Sequence, residues 1–358
     1  VRADQTMDPR VRTSLLLAIG QAYRGLAMHE TALDAVSEVL ALMRTTDGVS
    51  EVARSGAMAQ AGDLLTSLGR FDEARPLLER ADSLVSNERS VDDPWGRAQT
   101  LSFLGAAWLR MGEPERASAY EEEAASFYLT QGSARERAAG SLGDLAVIRR
   151  DLGDPDSAEV LYRRAVALRE EAWGGDHLSI TNSLVPLGEL LLVSGRLAEA
   201  DSAFRRALEL REAGLPEDHP GFAVPWVGLA KVSAARGDTA RADSLFQLAL
   251  TRLRTVYGPD HFAVGRALND RALFRQRTGR MVEAEADYRQ ALRMLSDQYG
   301  SEHPYTLVVA INLAWVAAVN GNVQEAISLY GQTLPILRGQ RPDDPTVYGY
   351  FTDYGIVL

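Results

Sequence analysis

The sequence predicts an all-α protein: a right-handed α-solenoid (superhelix) of about eight helix-turn-helix repeats and one terminal helix. Three observations carry that prediction. A small set of residues recurs with a period near 42 along the 358 residues. Alanine, leucine and arginine dominate while β-branched runs are scarce, which favours helix over strand. From the second period on, glycine falls where two successive helices would have to turn.

The period is plainest in GRLAEADSAFRRALEL from Gly195, GDTARADSLFQLALTRL from Gly237 and GRMVEAEADYRQALRML from Gly279. Each places an alanine five residues after the glycine, an aromatic four further on, and Ala–Leu three after that. The alanine register runs through Ala32, Ala74, Ala117, Ala158, Ala200, Ala242, Ala284 and Ala326 at intervals of 41 to 43 residues.

Each element of the period has a physical reason. The glycine, as at Gly195, supplies a left-handed backbone that ends one helix and permits a tight turn. The register alanine is small enough to let the second helix press on the first. The aromatics Tyr162, Phe204, Phe246, Tyr288 and Tyr330 fill space that small residues leave. Twelve residues before the register alanine stands another small residue, as at Gly105, Gly188, Ala230 and Ala314, where helix backbones can approach. No single hairpin buries its apolar face, so stability must come from neighbours stacked in series.

In chain order this predicts an N-terminal extension over 1–8, a solenoid of eight pairs over 9–343, and over 344–358 the start of a ninth pair or a capping helix. The early repeats depart from the pattern: Val36, Leu78 and Glu121 stand where the aromatic should be. Prolines at Pro76, Pro186, Pro225 and Pro335 interrupt four expected helices and should bend them, with a change of curvature at Pro186.

These residues resemble the tetratricopeptide repeat superfamily: the leucine–small pair (Leu104-Gly105, Leu145-Ala146, Leu187-Gly188), the turn glycine, the register alanine, the aromatic, and a closing alanine such as Ala207 or Ala249. The 42-residue period, with aromatic–Gly–x–acid–His–Pro between repeats, is similar to the kinesin-light-chain type found in bacterial regulators. DPRVRTSLLLAIGQAYRGL from Asp8 resembles the opening of repeat regions attached to bacterial serine/threonine kinases. The resemblance implies a non-catalytic scaffold that binds a peptide or partner domain in a concave groove, within a larger bacterial regulatory protein.

Composition narrows the function classes. With 46% hydrophobic and 24% charged residues the chain is ordinary for a folded protein. A net charge of −11 argues against a broad nucleic-acid surface. No stretch approaches the roughly 20 apolar residues of a membrane span, so direct membrane insertion of this segment is not expected. Lys231 is the only lysine, and cysteine is absent, which excludes thiol chemistry and cysteine-based zinc sites. The compartment stays open: cytoplasmic by default, extracytoplasmic or cell-surface behind a signal or anchor.

An acid precedes a histidine at Asp176-His177, Asp218-His219, Asp260-His261 and Glu302-His303, each one repeat apart. Equivalent positions in stacked hairpins stand roughly 8–10 Å apart, whereas two imidazoles sharing zinc must each lie ~2 Å from it. The ladder therefore reads as structure. The acid is expected to cap the following helix and the histidine to pack at the joint. His29 lacks a second histidine at zinc-protease spacing, no phosphate loop leads into Lys231, and there is no nucleophile elbow. Glu170-Glu171 and Glu121-Glu122-Glu123 are expected to be solvated charge on outer helices. No cofactor, metal site or catalytic residue is expected.

What remains is surface. The first helix of each pair should line the groove and present Asn182, Glu189, Lys231, Asn269, Gln276, Arg277, Asn312 and Trp315, with Arg150 as a possible addition. Lysine and arginine suit a carboxylate, the asparagines a peptide backbone, and Trp315 an aromatic anchor. Each could equally be a solvated groove residue, or for Trp315 a core residue. The family's asparagine and lysine carboxylate clamp is not reproduced as a set. The alternative is a self-assembling protein: apolar Tyr350, Phe351 and Ile356 near the end of the sequence would permit end-to-end association into oligomers or filaments.

Overall fold

The computed structural model describes residues 8–25, 28–46, 48–87, 93–340 and 345–357. The expected extension over 1–8 lies outside the described residues except for Asp8. Among the described residues there is no strand. The chain forms two compact units, residues 1–168 and 169–358, and the division falls inside one helix.

In the first unit the helices are α1 (Pro9–Gly25), α2 (His29–Thr45), α3 (Glu51–Ser67), α4 (Phe71–Asn87), α5 (Pro94–Arg110), α6 (Pro114–Thr130), α7 (Arg135–Asp151) and the start of α8 (Pro155–Trp173). The second unit takes the end of α8, then α9 (Thr181–Val193), α10 (Leu197–Gly214), α11 (Ala223–Ala235), α12 (Thr239–Tyr257), α13 (Phe262–Arg277), α14 (Met281–Tyr299), α15 (Pro304–Val319), α16 (Val323–Gln340) and α17 (Pro345–Val357). Short 3-10 turns, Leu178–Ile180 and Pro220–Phe222, precede α9 and α11. Odd-numbered helices open the pairs and even-numbered helices close them, so the described residues form eight helical pairs and one terminal helix.

From the second pair on, the helices turn as the glycine predicts. Gly195 has φ 74°, and Arg196 N–H reaches back to the Leu191 carbonyl at 2.9 Å. That is the six-to-one bond of a left-handed helix end. Asp238 to Ser233 and Arg280 to Arg275 repeat it at 2.9 and 2.8 Å.

The small residue of each first helix does something more specific than bringing backbones together. It receives the large side chain that lies sixteen residues later on its own second helix. A Cβ on Gly62 would come 2.4 Å from Leu78, one on Gly105 2.7 Å from Glu121, and one on Gly188 2.9 Å from Phe204. Ala230 and Phe246, Ala272 and Tyr288, and Ala314 and Tyr330 keep the same spacing, and all six are fully buried. Each buried aromatic contributes roughly 1.5–3 kcal/mol through area removed from water.

None of the four prolines ends its helix. Helices α4, α9 and α16 run on through Pro76, Pro186 and Pro335. Pro225 is the third residue of α11, inside the first turn, where its missing N–H has no intrahelical acceptor to lose.

The joints of the second unit correct the expected division of labour between acid and histidine. The histidine is the cap. His261 Nδ1 accepts from Ala263 N–H at 3.2 Å and His303 Nδ1 from Tyr305 N–H at 3.2 Å, at the starts of α13 and α15. His177 and His219 do the same for Ser179 and Gly221, at 3.2 and 2.9 Å. The acid stands one residue too early, in the preceding turn, where Asp260 faces Arg293 at 3.5 Å. The aromatic that ends the previous helix stacks on the capping ring, Tyr257 on His261 at 4.3 Å and Tyr299 on His303 at 4.9 Å.

Candidate functional site

First helices of the second unit meet through their polar side chains. Lys231 on α11 lies 3.2 Å from Glu189 on α9 and 3.3 Å from Asp270 on α13. One cation thus ties three successive first helices. Burial works to lower its ammonium, but the Asp270 and Glu189 carboxylates outweigh this and hold its pKa above the usual lysine value.

Beside Asp270, Asn269 donates to the Tyr305 hydroxyl on α15 at 3.4 Å. Its carbonyl oxygen is buried with no partner. Burial and the nearby Asp270 push the Tyr305 phenol up to about 12, so it stays neutral. Glu189, Lys231, Asp270, Asn269 and Tyr305 therefore form one partly buried polar strip with an acceptor left over. Arranged so, it can hydrogen-bond a polar chain laid along it; it holds no activated nucleophile.

The sequence-derived candidates divide. Lys231 and Asn269 lie in this strip. Gln276 does not: its side-chain oxygen accepts from the Tyr288 hydroxyl at 2.9 Å, which fastens it to the filler aromatic of α14. Arg277 is exposed at the end of α13, and Asn182 is exposed at the start of α9. Asn312 is half-buried on α15. Trp315 borders a hollow of about 300 Å³ with Val319, Val323, Ile356 and Val357. Tyr350 and Phe351, expected to be exposed, pack partly buried against Leu334 and Leu337, while Ile356 is exposed. Asp270 and Tyr305 escaped the sequence reading. Asp270 sits three residues short of one full period after Lys231, and Tyr305 reads as part of the joint.

In the first unit, Arg150 pairs with its neighbour Asp151 at 2.8 Å and is exposed. A cavity of about 390 Å³ is walled by α1, α5 and α7 with Tyr128 of α6; Arg24, Ser102, Phe103, Ser141 and Asp144 are among its lining. Behind it Asp63 of α3 is fully buried between Arg24 at 2.7 Å and Arg110 at 2.5 Å. Burial would raise that carboxyl, but the two guanidinium groups outweigh it and hold it below the usual range. Of the triplet expected to be solvated, Glu122 and Glu123 are exposed, but Glu121 is fully buried. It occupies the filler position, whose geometry points inward whatever residue stands there. Glu170 of the other acidic pair meets Arg206.

Among the described residues no group of three or more histidine, aspartate and glutamate side chains is placed to hold a metal. No helix among them is long and apolar enough to cross a membrane.

A tetratricopeptide repeat family model matches residues 137–213 and 264–339, and two further models of the same repeat match 228–263 and 55–85, together more than half of the chain. The chain belongs to the tetratricopeptide repeat superfamily. No curated protein matches the sequence significantly. Solved structures do. A Rap protein complexed with competence and sporulation factor is 12% identical, with 98% of this chain and 97% of that one covered and a TM-score of 0.61. A tetratricopeptide repeat protein from Parabacteroides merdae is 14% identical over 84% and 99% of the two chains, TM-score 0.56. A Podosopora anserina protein described as a kinesin light chain with nearly identical repeats is 18% identical over 57% and 98%, TM-score 0.49. The first two likenesses establish the α-solenoid architecture of tetratricopeptide repeats and nothing finer.

Proposed function

We propose that this protein is a non-catalytic interaction scaffold that binds a peptide or partner segment along the first-helix face of its second unit. The observation that carries the reading is the polar strip on α9, α11, α13 and α15, with the buried, unpartnered Asn269 oxygen at its centre. An acceptor left without a donor inside an otherwise satisfied network costs about 1–3 kcal/mol, and a ligand N–H removes that penalty once the amide turns toward it. A Rap protein of the same fold is complexed with competence and sporulation factor, which agrees with a ligand held by such repeats.

The test is selection of binders to the full chain from a random peptide library, followed by Asn269→Ala and Asp270→Ala. Selected synthetic peptides should lose at least about tenfold in affinity, the equivalent of one charge-assisted hydrogen bond. The outer-face variant Arg205→Ala should bind as before. Peptides that ignore Asn269 and Asp270, or no binders at all, would remove the reading.

A second reading is self-association through the apolar hollow bordered by Trp315 and Ile356. Static light scattering over a concentration series tests it: a constant monomer mass rules it out.

A further inference from the structure

Five repeats place an aromatic where the second helix seats on the first, and Val36 and Leu78 put an aliphatic side chain there. Glu121 is the exception. Its side chain is fully buried, both carboxyl oxygens lack a hydrogen-bond partner within ordinary distance, and its Cγ lies over Gly105 as Phe204 lies over Gly188. An ionised carboxylate does not occupy such a place at tolerable cost; a neutral acid does.

No cation acts on Glu121: Arg137 of α7, which lines the adjoining cavity, is turned to Tyr128. Ser141 and Asp144 face Glu121 from α7, and the Asp63 carboxylate from α3. Gly105 of α5 gives it only backbone. Arg110 of α5 and Arg24 of α1 are both engaged by Asp63. Tyr128, about two helix turns along α6, is a neutral phenol that burial pushes upward. Burial first, and then the Asp144 charge, hold the Glu121 carboxyl well above the usual range.

We propose that Glu121 is a protonation switch built into the first unit: as a neutral acid it fills the aromatic's place, and its ionisation loosens α6 from α5 and α7 and widens the adjoining cavity. An ionised Glu121 has two ways to be solvated. It draws Arg110 away from Asp63, or it moves past Ser141 toward the cavity that Ser141 and Asp144 line. Either movement displaces the wall formed by α5 and α7. The sign follows from linkage. A carboxyl whose folded pKa is raised contributes stability that is fully present below its unfolded value of 4.5 and is lost as pH rises through the folded value. The switch therefore closes in acid and opens toward alkali, opposite to the acid-sensitive Asp63 beside it.

Amide hydrogen exchange of α5, α6 and α7 in the full chain tests this, with wild type and Glu121→Gln compared at each pH so that intrinsic exchange cancels. Protection should match at the acid end. At the alkaline end the wild type should exchange at least about tenfold faster, the effect of one pH unit between the unfolded and the folded pKa. An exchange ratio that does not change with pH overturns the proposal. Should the glutamine variant fail to fold, Glu121→Phe, which restores the filler of the Phe204 repeat, carries the same comparison and the same expectation. Infrared spectroscopy gives an independent reading: wild type at neutral pH should show a protonated-carboxyl band that the variants lack. Absence of that difference also overturns it.

Discussion

Phe204 is held between two glycines of two different first helices: a Cβ on Gly188 would come 2.9 Å from its ring, and one on Gly228 2.4 Å. The ring therefore joins its own hairpin to the next one and has nowhere to retreat. Gly228→Ala should destabilise the second unit by about 1–2 kcal/mol, since overpacking of about 1–3 kcal/mol outweighs a helix-propensity gain of up to about 1. Gly143→Ala in α7, where nothing lies within 4 Å of the new Cβ, should instead stabilise by up to about 1 kcal/mol. Urea denaturation of the two variants checks the opposite signs.

The same spacing explains how much could be read from the sequence. Glycine, alanine and aromatic recur because backbone turns and close packing each need one residue type, so eight pairs and their turns were legible. The polar strip was not. Asp270 falls off the 42-residue register that places Lys231 below Glu189, and a pairing between neighbouring helices leaves no periodic mark. Gln276 shows the converse: polarity suggested the groove, and no sequence signal marks the hydrogen bond that its side-chain oxygen accepts from Tyr288. Glu121 shows the limit most clearly, because charge type suggested solvent and only the filler position it occupies reveals burial.

Asp63 depends on two arginines from neighbouring first helices, Arg24 and Arg110. Arg110→Met should cost about 1–3 kcal/mol by leaving a buried carboxylate half satisfied. Loss of both arginines should cost about 3–5 kcal/mol, reduced to the extent that the half-exposed guanidinium groups are screened by solvent. The folded pKa of Asp63 is depressed, so its contribution is present above its unfolded value of 3.8 and is lost as pH falls through the folded value. The stability gap between wild type and Asp63→Asn should accordingly narrow in strong acid, as chemical denaturation at neutral and acid pH would show.

Lys231 keeps Glu189 and Asp270 from facing each other uncompensated. Lys231→Met retains the length of the side chain and removes its charge, and should cost about 1 kcal/mol, since part of the ion pair is solvated. Its folded pKa is raised, so the contribution is fully present below the unfolded value of 10.5 and disappears as pH rises through the folded value. Thermal unfolding of the variant against wild type should converge only in strong alkali. Convergence at neutral pH would mean that the three first helices are not tied by this charge.

His261 caps α13 only while its Nδ1 is unprotonated, because that atom accepts from Ala263 N–H at 3.2 Å. Protonation removes the acceptor and sets a positive charge against the positive end of the helix. Tyr257 covers one face of the ring at 4.3 Å, and burial lowers the imidazole pKa from 6.5. A histidine lowered on folding contributes stability that is present above 6.5 and is lost as pH falls toward the folded value. His261→Ala should therefore cost about 1 kcal/mol at neutral pH, a typical cap loss, and less in mild acid. His261→Asn keeps a side-chain acceptor and cannot titrate, so it should hold most of the stability and flatten its decline in acid. Equilibrium denaturation of the three proteins between neutral and mildly acid pH decides the matter: parallel slopes for wild type and the asparagine variant would mean that the cap is not what acid removes.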